Sequence, residues 1–373
     1  MSVDFNLYIL SLGIQPDQLG RILSAAPFAH MLAAIPIGFF AERLGFRKAF
    51  LVIYSVAGAM LLLQVATSSV FIITLAAFLS GLAISGDFVV RLPFLSANIG
   101  DEDRTFLFSL DAFLSGLTFA IGALLAGFLP NLFQAMSFDL SLAYRYTLYF
   151  SGALMVLAVV PVFMIRDQTH LTNKKISLKP YLWGIDRFTV KAAIVEFFIG
   201  ATFGLIIPFM NVFFLYKFNT SREFYSSIEA SAFLLTILIT LGAPLLAARL
   251  GVIRSVIAGR FLVGSVILIL AFTSSPWVGA GAYWFYKAIF SASQSLWFAF
   301  AMSHAAPKAK AALSSWIEIT FQVALVMAAP LTGYLISSGS FNLAFYLSAG
   351  AAIITGILTW ILIAPHQIQK PAE

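Results

Sequence analysis

A chain of 373 residues has room for two soluble domains, but 61% of this one is hydrophobic, 15% aromatic and only 10% charged, against about 25% charged in an ordinary soluble domain. That much apolar surface cannot be hidden from water, so lipid is the expected solvent. The absence of cysteine excludes a disulfide framework and a thiolate metal site, and the net charge of +6 sits mostly in loops between apolar runs, which removes it as an argument for nucleic acid.

Apolar runs long enough to cross about 30 Å of hydrocarbon at about 1.5 Å per residue recur along the chain. A partial run at 3–12 comes first. Full runs follow at 20–41, 49–67, 70–97, 105–129, 144–165, 189–216, 223–247, 252–273, 276–304, 311–337 and 341–363. All are predicted as helices, because only helices and closed barrels satisfy their backbone in lipid, and barrel strands would be about 10 residues long with alternating polarity. Pro27, Pro36, Pro93, Pro161, Pro208, Pro244 and Pro330 fall inside the runs as tolerated kinks. The first run has neither a basic flank nor a small-residue cleavage site, so it does not read as a cleaved signal.

The loops set the orientation. With the "ERLGFRK" turn placed in the cytoplasm, most of the basic residues fall on that side, among them Arg43, Arg47, Lys48, Arg104, Lys174, Lys175, Lys179, Arg187, Arg249 and Arg254. Only Arg21, Arg145, Lys217 and Arg222 fall outside. The positive-inside rule selects this topology, with a cytoplasmic C-terminus in the cell membrane.

Two of the cytoplasmic turns are alike. "GFFAERLGFRK" (38–48) returns as "LLAARLGVIRS" (245–255) at a shift of 206 residues. In the same register Gly58 falls on Gly264, "TSS" at 67–69 on "TSS" at 273–275, Ala76 on Ala282, Ser109 on Ser315, Gly127 on Gly333 and Leu129 on Leu335. A constant register without gaps marks an internal repeat, and both copies have the same orientation. Parallel halves of this kind are the layout of one large class of secondary transporters.

The turn resembles the loop signature between helices 2 and 3 of the major facilitator superfamily, usually G-x-x-x-D-R-x-G-R-[KR]. Gly38, Arg43 and Gly45 match. Glu42 stands where Asp is usual and Phe46 where a basic residue is usual, with Arg47 and Lys48 just after. Arg249 and Gly251 belong to the weaker second copy, with Ala248 at the acid position. The resemblance spans nearly the whole chain. It implies an all-α integral membrane fold of two six-helix bundles in a parallel pseudo-twofold repeat, here with eleven full transmembrane helices and a partial first one. It divides the chain into an N-terminal bundle (1–165), a cytoplasmic linker (166–188) and a C-terminal bundle (189–373). It also implies that Glu42 latches near Ala311–Leu313 and Arg43 near Asp101, Glu102 or Asp103, the alternative being a plain solvated turn. The repeat shift puts the counterpart of the seventh helix at −17 to 10, so residues 1–12 are expected to be the outer third of a first helix. The reading frame is then expected to start upstream, or the chain to be an inactive fragment.

Ionisable residues within the spans are costly there and mark cavities or partners. They are His30, Asp87, Arg91, Asp111, Glu196, Glu229, Arg260, Lys287 and Glu318. Counting the partial run as the first, helices 3, 6 and 12 carry none; in the resembled fold those are outer supports, while helices 1, 4, 7 and 10 line the central cavity. Arg260, on helix 9, is expected to snorkel to the surface and Glu229 to lie at the outer mouth. Asp87 and Arg91 share a helix face at i and i+4, either as a fixed ion pair at an inner gate or as part of a titrating cavity. Lys287, Ser291 and Gln294 are expected on one face, with Lys287 as a substrate or anion contact. Asn211 is expected to bond a substrate hydroxyl or a neighbouring helix. Asp87, Arg91, Asp111, Glu196, Asn211, Lys287, Gln294 and Glu318 are therefore the candidate substrate or coupling residues. The helix-10 aromatics Trp284, Phe285, Tyr286, Trp297 and Phe298 read as substrate stacking or as packing.

No Walker A loop is present, which argues against an ATP-driven pump, and no G-x-S-x-G, H-E-x-x-H or G-x-G-x-x-G motif occurs. The reading is a secondary transporter without cofactor or metal, monomeric, working on a small molecule with protons or another coupling ion. Proton-coupled efflux of a drug or metabolite leads, ahead of sugar or other nutrient uptake, with a transport-inactive sensor as the alternative of another class.

Overall fold

The computed structural model describes residues 2–33, 45–97, 104–165, 185–306 and 309–365, and among them the regular structure is entirely helical. The helices are α1 (Ser2–Ser11), α2 (Pro16–Ala33), α3 (Phe46–Ala66), α4 (Val70–Ala97), α5 (Arg104–Ala135) and α6 (Leu140–Val162). After these come α7 (Arg187–Phe218), α8 (Arg222–Leu250), α9 (Val252–Phe272), α10 (Pro276–His304), α11 (Lys310–Ser337) and α12 (Phe341–Ile363). Nine helices of the described residues meet the length and hydropathy of a membrane crossing. The sequence predicts eleven. The described part of α2 carries Asp17, Arg21 and His30, and α10 mixes Lys287, Gln294 and five serines or histidines into its aromatics, so these two are the more polar members. The predicted boundaries shift most at α5 and α6, which extend to Ala135 and begin at Leu140.

The sequence repeat reappears as repeated geometry. Gly45 precedes α3 with φ 76° and ψ 157°, and Gly251 precedes α9 with φ 85° and ψ 145°. A positive φ is strained for any side chain but open to glycine, which explains why both turns carry one. Thr67 Oγ1 accepts from the Ser69 amide at 3.1 Å, and Thr273 Oγ1 accepts from the Ser275 amide at 3.1 Å. Gly58 lets α3 touch Val156 of α6, as Gly264 lets α9 touch Ala349 and Ile353 of α12. Close helix approach over small residues is the main packing device in lipid, where tails are as apolar as leucine.

Two long contacts join the halves: α2 runs along α11, and α5 runs along α8. They are equivalent under the repeat. Gly127 of α5 meets Ser226 of α8, and Gly333 of α11 meets Pro16 and Asp17 of α2. Helix α7 is interrupted by a 3-10 turn at Ile207–Phe209 around Pro208. Proline removes a backbone donor and frees carbonyls that lipid cannot satisfy. Neighbours supply the missing donors: Asn6 Nδ2 to the Pro208 carbonyl, Thr332 Oγ1 to that of Leu205 at 2.7 Å, and Ser348 Oγ to that of Thr202 at 2.6 Å.

Candidate functional site

Arg91 of α4 stands between two carboxylates. Its Nε lies 3.8 Å from Asp87 Oδ2, one turn earlier, and one Nη lies 3.7 Å from Asp111 Oδ1 on α5. That same Nη donates to Ser115 Oγ at 3.4 Å, and the Tyr54 hydroxyl of α3 donates to Asp87 Oδ1 at 2.8 Å. The i and i+4 spacing read from the sequence therefore produces a pair. Asp111 and Tyr54 join it only because α3 and α5 flank α4. All these side chains are partly open: Arg91 is 33% exposed, Asp111 25% and Asp87 20%.

A second cluster joins α8 and α10. Lys287 Nζ lies 2.8 Å from Glu229 Oε1, the Tyr283 hydroxyl donates to Glu229 Oε2, and the ammonium rests 3.6 Å from the centroid of the Phe233 ring. Glu229 is buried, about two turns from the start of α8. Lys287 therefore has an internal partner in this arrangement. It does not act with Gln294, which turns to a third cluster.

In that third cluster Glu196, Arg260 and Trp297 are buried and Gln294 is half-buried. Glu196 of α7 accepts from Gln294 Nε2 and from Trp297 Nε1, each at 2.7 Å, and Gln294 Oε1 accepts from an Arg260 Nη at 2.6 Å. Arg260 is 2% exposed. The snorkelling expected of it is overturned. Phe290 covers its guanidinium at 5.6 Å, and a buried glutamate stands across Gln294, so the charge is matched inside. Trp297 is packed and polar at once, while Phe285 and Phe298 are exposed on the helix surface. Trp284 Nε1 donates to the Ile228 carbonyl.

Glu318 of α11 is exposed and accepts from Gln322 Nε2 at 2.7 Å. It lies within electrostatic reach of His30 on α2 and Glu196 on α7. Asn211 is buried and receives Asn6 Nδ2 at 2.9 Å, which is its helix-pairing role. Sequence reasoning overlooked Asp4, whose two carboxylate oxygens are buried without a hydrogen-bond partner among the described residues. The shortness of the first apolar run concealed it. Gly38, Glu42 and Arg43 lie outside the described residues, as do Asp101, Glu102 and Asp103, so the latch contacts do too; Arg47 stands 5.8 Å over the Phe163 ring.

The halves are zipped together at one end. Arg222 of α8 donates to Asn131 Oδ1 and to Gln134 Oε1 at 3.0 Å, Asn131 Nδ2 donates to Glu223 Oε1 at 2.7 Å, and the Asp17 amide donates to Ser337 Oγ at 3.2 Å. Deeper along the same seam Phe119 and Phe233 stack at 5.2 Å and Gly116 meets Ile237. Beside and beyond that stack lies a cavity of about 730 Å³ between α3, α4, α5 and α8. It is lined by Tyr54, Asp87, Arg91, Asp111, Ser115, Thr118, Phe119, Glu229 and Phe233 among others. Glu229 is about 10 Å from the sealed end of α8 and Asp87 about 25 Å from that of α4, at about 1.5 Å per residue. The cavity thus spans the middle of the bundle, from about 10 Å below the sealed end into the opposite half.

The sequence profile described as Major Facilitator Superfamily matches residues 3–185 and 192–373. The chain belongs to the Major Facilitator Superfamily. Solved structures agree on the fold of this superfamily member. Two structures of the nucleoside transporter NupG, one of them a point mutant, align with TM-scores of 0.74 and 0.77 at 11% and 12% identity, over 97% of this chain in both cases and 97% and 95% of theirs. A bacterial homologue of the human lysosomal transporter Spinster, in an inward-facing and unoccupied conformation, aligns with TM-score 0.72 at 11% identity over 98% of this chain and 93% of the other. No curated protein sequence gives a match. The family and the apolar helices make this a multi-pass membrane protein of a transporter family. The resemblance read from "GFFAERLGFRK" and the two-copy register was therefore sound for the fold.

Proposed function

We propose that this chain is a monomeric secondary carrier that moves a small molecule by alternating access, with residues 1–165 and 189–373 as the two rocking bundles and 166–188 as their linker. The single observation that carries the reading is a charged cavity reaching mid-membrane, sealed on one side by contacts between equivalent helices of the two halves. Placing the basic turns in the cytoplasm puts the seal outside and makes the described arrangement inward-facing. The C-terminus is then cytoplasmic, in the cell membrane. The direction proposed is export of a drug or metabolite in exchange for protons; uptake with protons is the other outcome of the deciding experiment. That experiment is substrate counterflow in proteoliposomes, followed by accumulation under an imposed pH gradient of either sign. Absence of counterflow for every tested solute class would sink the carrier reading.

Orientation has a direct check on this Cys-free background. Ser274→Cys is expected to react with a membrane-impermeant maleimide on intact cells, and Asn173→Cys only after permeabilisation. The reverse pattern would invert the topology and with it the direction of the seal.

Proton coupling is assigned to Glu318, which has an amide partner and no ion pair among the described residues, whereas Asp87 is already engaged by Tyr54 and Arg91. Glu318→Gln should abolish gradient-driven accumulation while leaving substrate exchange within about twofold of wild type, because exchange needs no net proton movement. Unchanged accumulation in this variant would remove Glu318 as the coupling group.

A further inference from the structure

Among the described residues the charges around the cavity do not balance. Asp87, Asp111 and Glu229 contribute three carboxylates, and Arg91 with Lys287 contributes two cations. Lys287 is held 2.8 Å from Glu229, which neutralises that pair locally. What remains is two aspartates sharing one guanidinium at 3.7 and 3.8 Å, both beyond direct hydrogen-bond range. Asp111 accepts no hydrogen bond from the described residues and is a quarter exposed toward the cavity. A charge left over in a low-dielectric space attracts a counter-charge far more strongly than one in water.

The second observation is independent of that balance. The wall beside the aspartates is aromatic: Phe119 and Phe233 stack across the seam at 5.2 Å, and Tyr54 stands on the opposite side. The Lys287 ammonium rests 3.6 Å from the Phe233 centroid and Phe119 stacks on that ring, so the aromatic surface left for a ligand is the edge of Phe233 and the exposed side of Phe119. The cavity volume of about 730 Å³ matches that of a drug-sized ligand.

We propose that the cavity selects a monovalent organic cation with an apolar or aromatic body, the positive centre facing Asp111 and the body lying along Phe119 and Phe233. This rests on the reading of the cavity as the carrier's substrate site. A dianionic or phosphorylated solute is disfavoured by the same charge count, and a neutral hydroxylated solute leaves Asp111 uncompensated.

The test uses the full chain in nanodiscs with tetraphenylphosphonium as the probe and triphenylphosphine oxide as its uncharged counterpart. The cation is expected to bind, the neutral compound to bind at least about tenfold more weakly, and Asp111→Asn to weaken the cation about tenfold while leaving the neutral compound unchanged, as expected for one partly screened charge. Phe233→Leu should weaken the cation severalfold. Equal binding of the two probes, or an unchanged cation affinity in Asp111→Asn, overturns the proposal. A single thiol at Ser115→Cys separates this from failure of the carrier reading. If maleimide reaches Ser115→Cys from neither face of a membrane vesicle, the cavity is not the transport site and the reading falls. If the thiol is reached from both faces but tetraphenylphosphonium does not protect it, the carrier reading stands and the cation assignment alone is wrong.

Discussion

Lys287→Met is expected to destabilise the folded protein by about 3–5 kcal/mol, the usual cost of removing one partner from a buried ion pair. Lys287 and Glu229 are only 16% and 11% exposed, so neither charge keeps a full hydration shell. Without the ammonium, Glu229 retains the Tyr283 hydroxyl, and Tyr225 at 3.5 Å, but no cation. It must then be buried as an uncompensated anion or take up a proton. The cation–π contact with Phe233 disappears as well. The double variant Glu229→Gln/Lys287→Met removes both charges and nearly preserves volume, so it should recover most of the loss. Replacing a whole buried pair by uncharged groups is often neutral or even stabilising. Thermal unfolding in one detergent, for wild type, both single variants and the double, gives the coupling between the two positions. Single and double variants of equal stability would show that the pair does not hold α8 to α10.

Gly333→Val should leave the protein folded and stop it from sealing. A Cβ at Gly333 would run into the backbone carbonyl of Pro16, which has no rotamer to move aside. Overpacking a tight contact costs about 1–3 kcal/mol. If the clash exists only in the sealed state, that cost is a bias between two states and shifts their ratio about 5- to 150-fold. The expected readout is an impermeant reagent that reaches Ser115→Cys from the outside much faster in the Gly333→Val background, together with a matching loss of counterflow. Gly127→Ala is the informative contrast. Its Cβ would meet the hydroxyl and Cβ of Ser226, a short side chain, so the effect should be smaller, and Ser226→Gly should relieve it. Unchanged labelling in Gly333→Val would mean that the α2–α11 contact does not gate the cavity.

Some of the site was legible in the chain and some was not, for a definite reason. The Asp87–Arg91 contact follows from a spacing of four on one helix, which fixes geometry without tertiary information. Glu229 and Lys287 are 58 positions apart, Gln294 and Glu196 are 98. No local rule pairs residues on different helices, because the pairing depends on the rotation of each helix about its own axis. Arg260 shows the same thing. Its span was correctly read as apolar, but which side of α9 faced lipid was decided by the packing of α9 against α10 and α12. Lys287 and Gln294 lie seven apart on one helix, yet their partners differ: Lys287 extends to α8, while Gln294 bridges α7 and α9.

The solvent, the helices, their approximate ends, the turn glycines and the twofold repeat were all readable along the chain. Each of these rests on properties that act over one helix or one turn: apolar length against bilayer thickness, backbone satisfaction in lipid, and the φ that only glycine takes without strain. The same register in two halves then reappeared as a similar positive φ at Gly45 and Gly251 and the same amide-to-hydroxyl bond, from Ser69 to Thr67 and from Ser275 to Thr273. Which charges meet was set by the packing of the helices. It brought Asp111 and Tyr54 to Arg91 and Asp87, closed Glu229 on Lys287 and buried Arg260 beside Glu196. Those outcomes depend on distances between helices far apart in sequence, where a shift of one turn, about 5.4 Å, makes or breaks an ion pair.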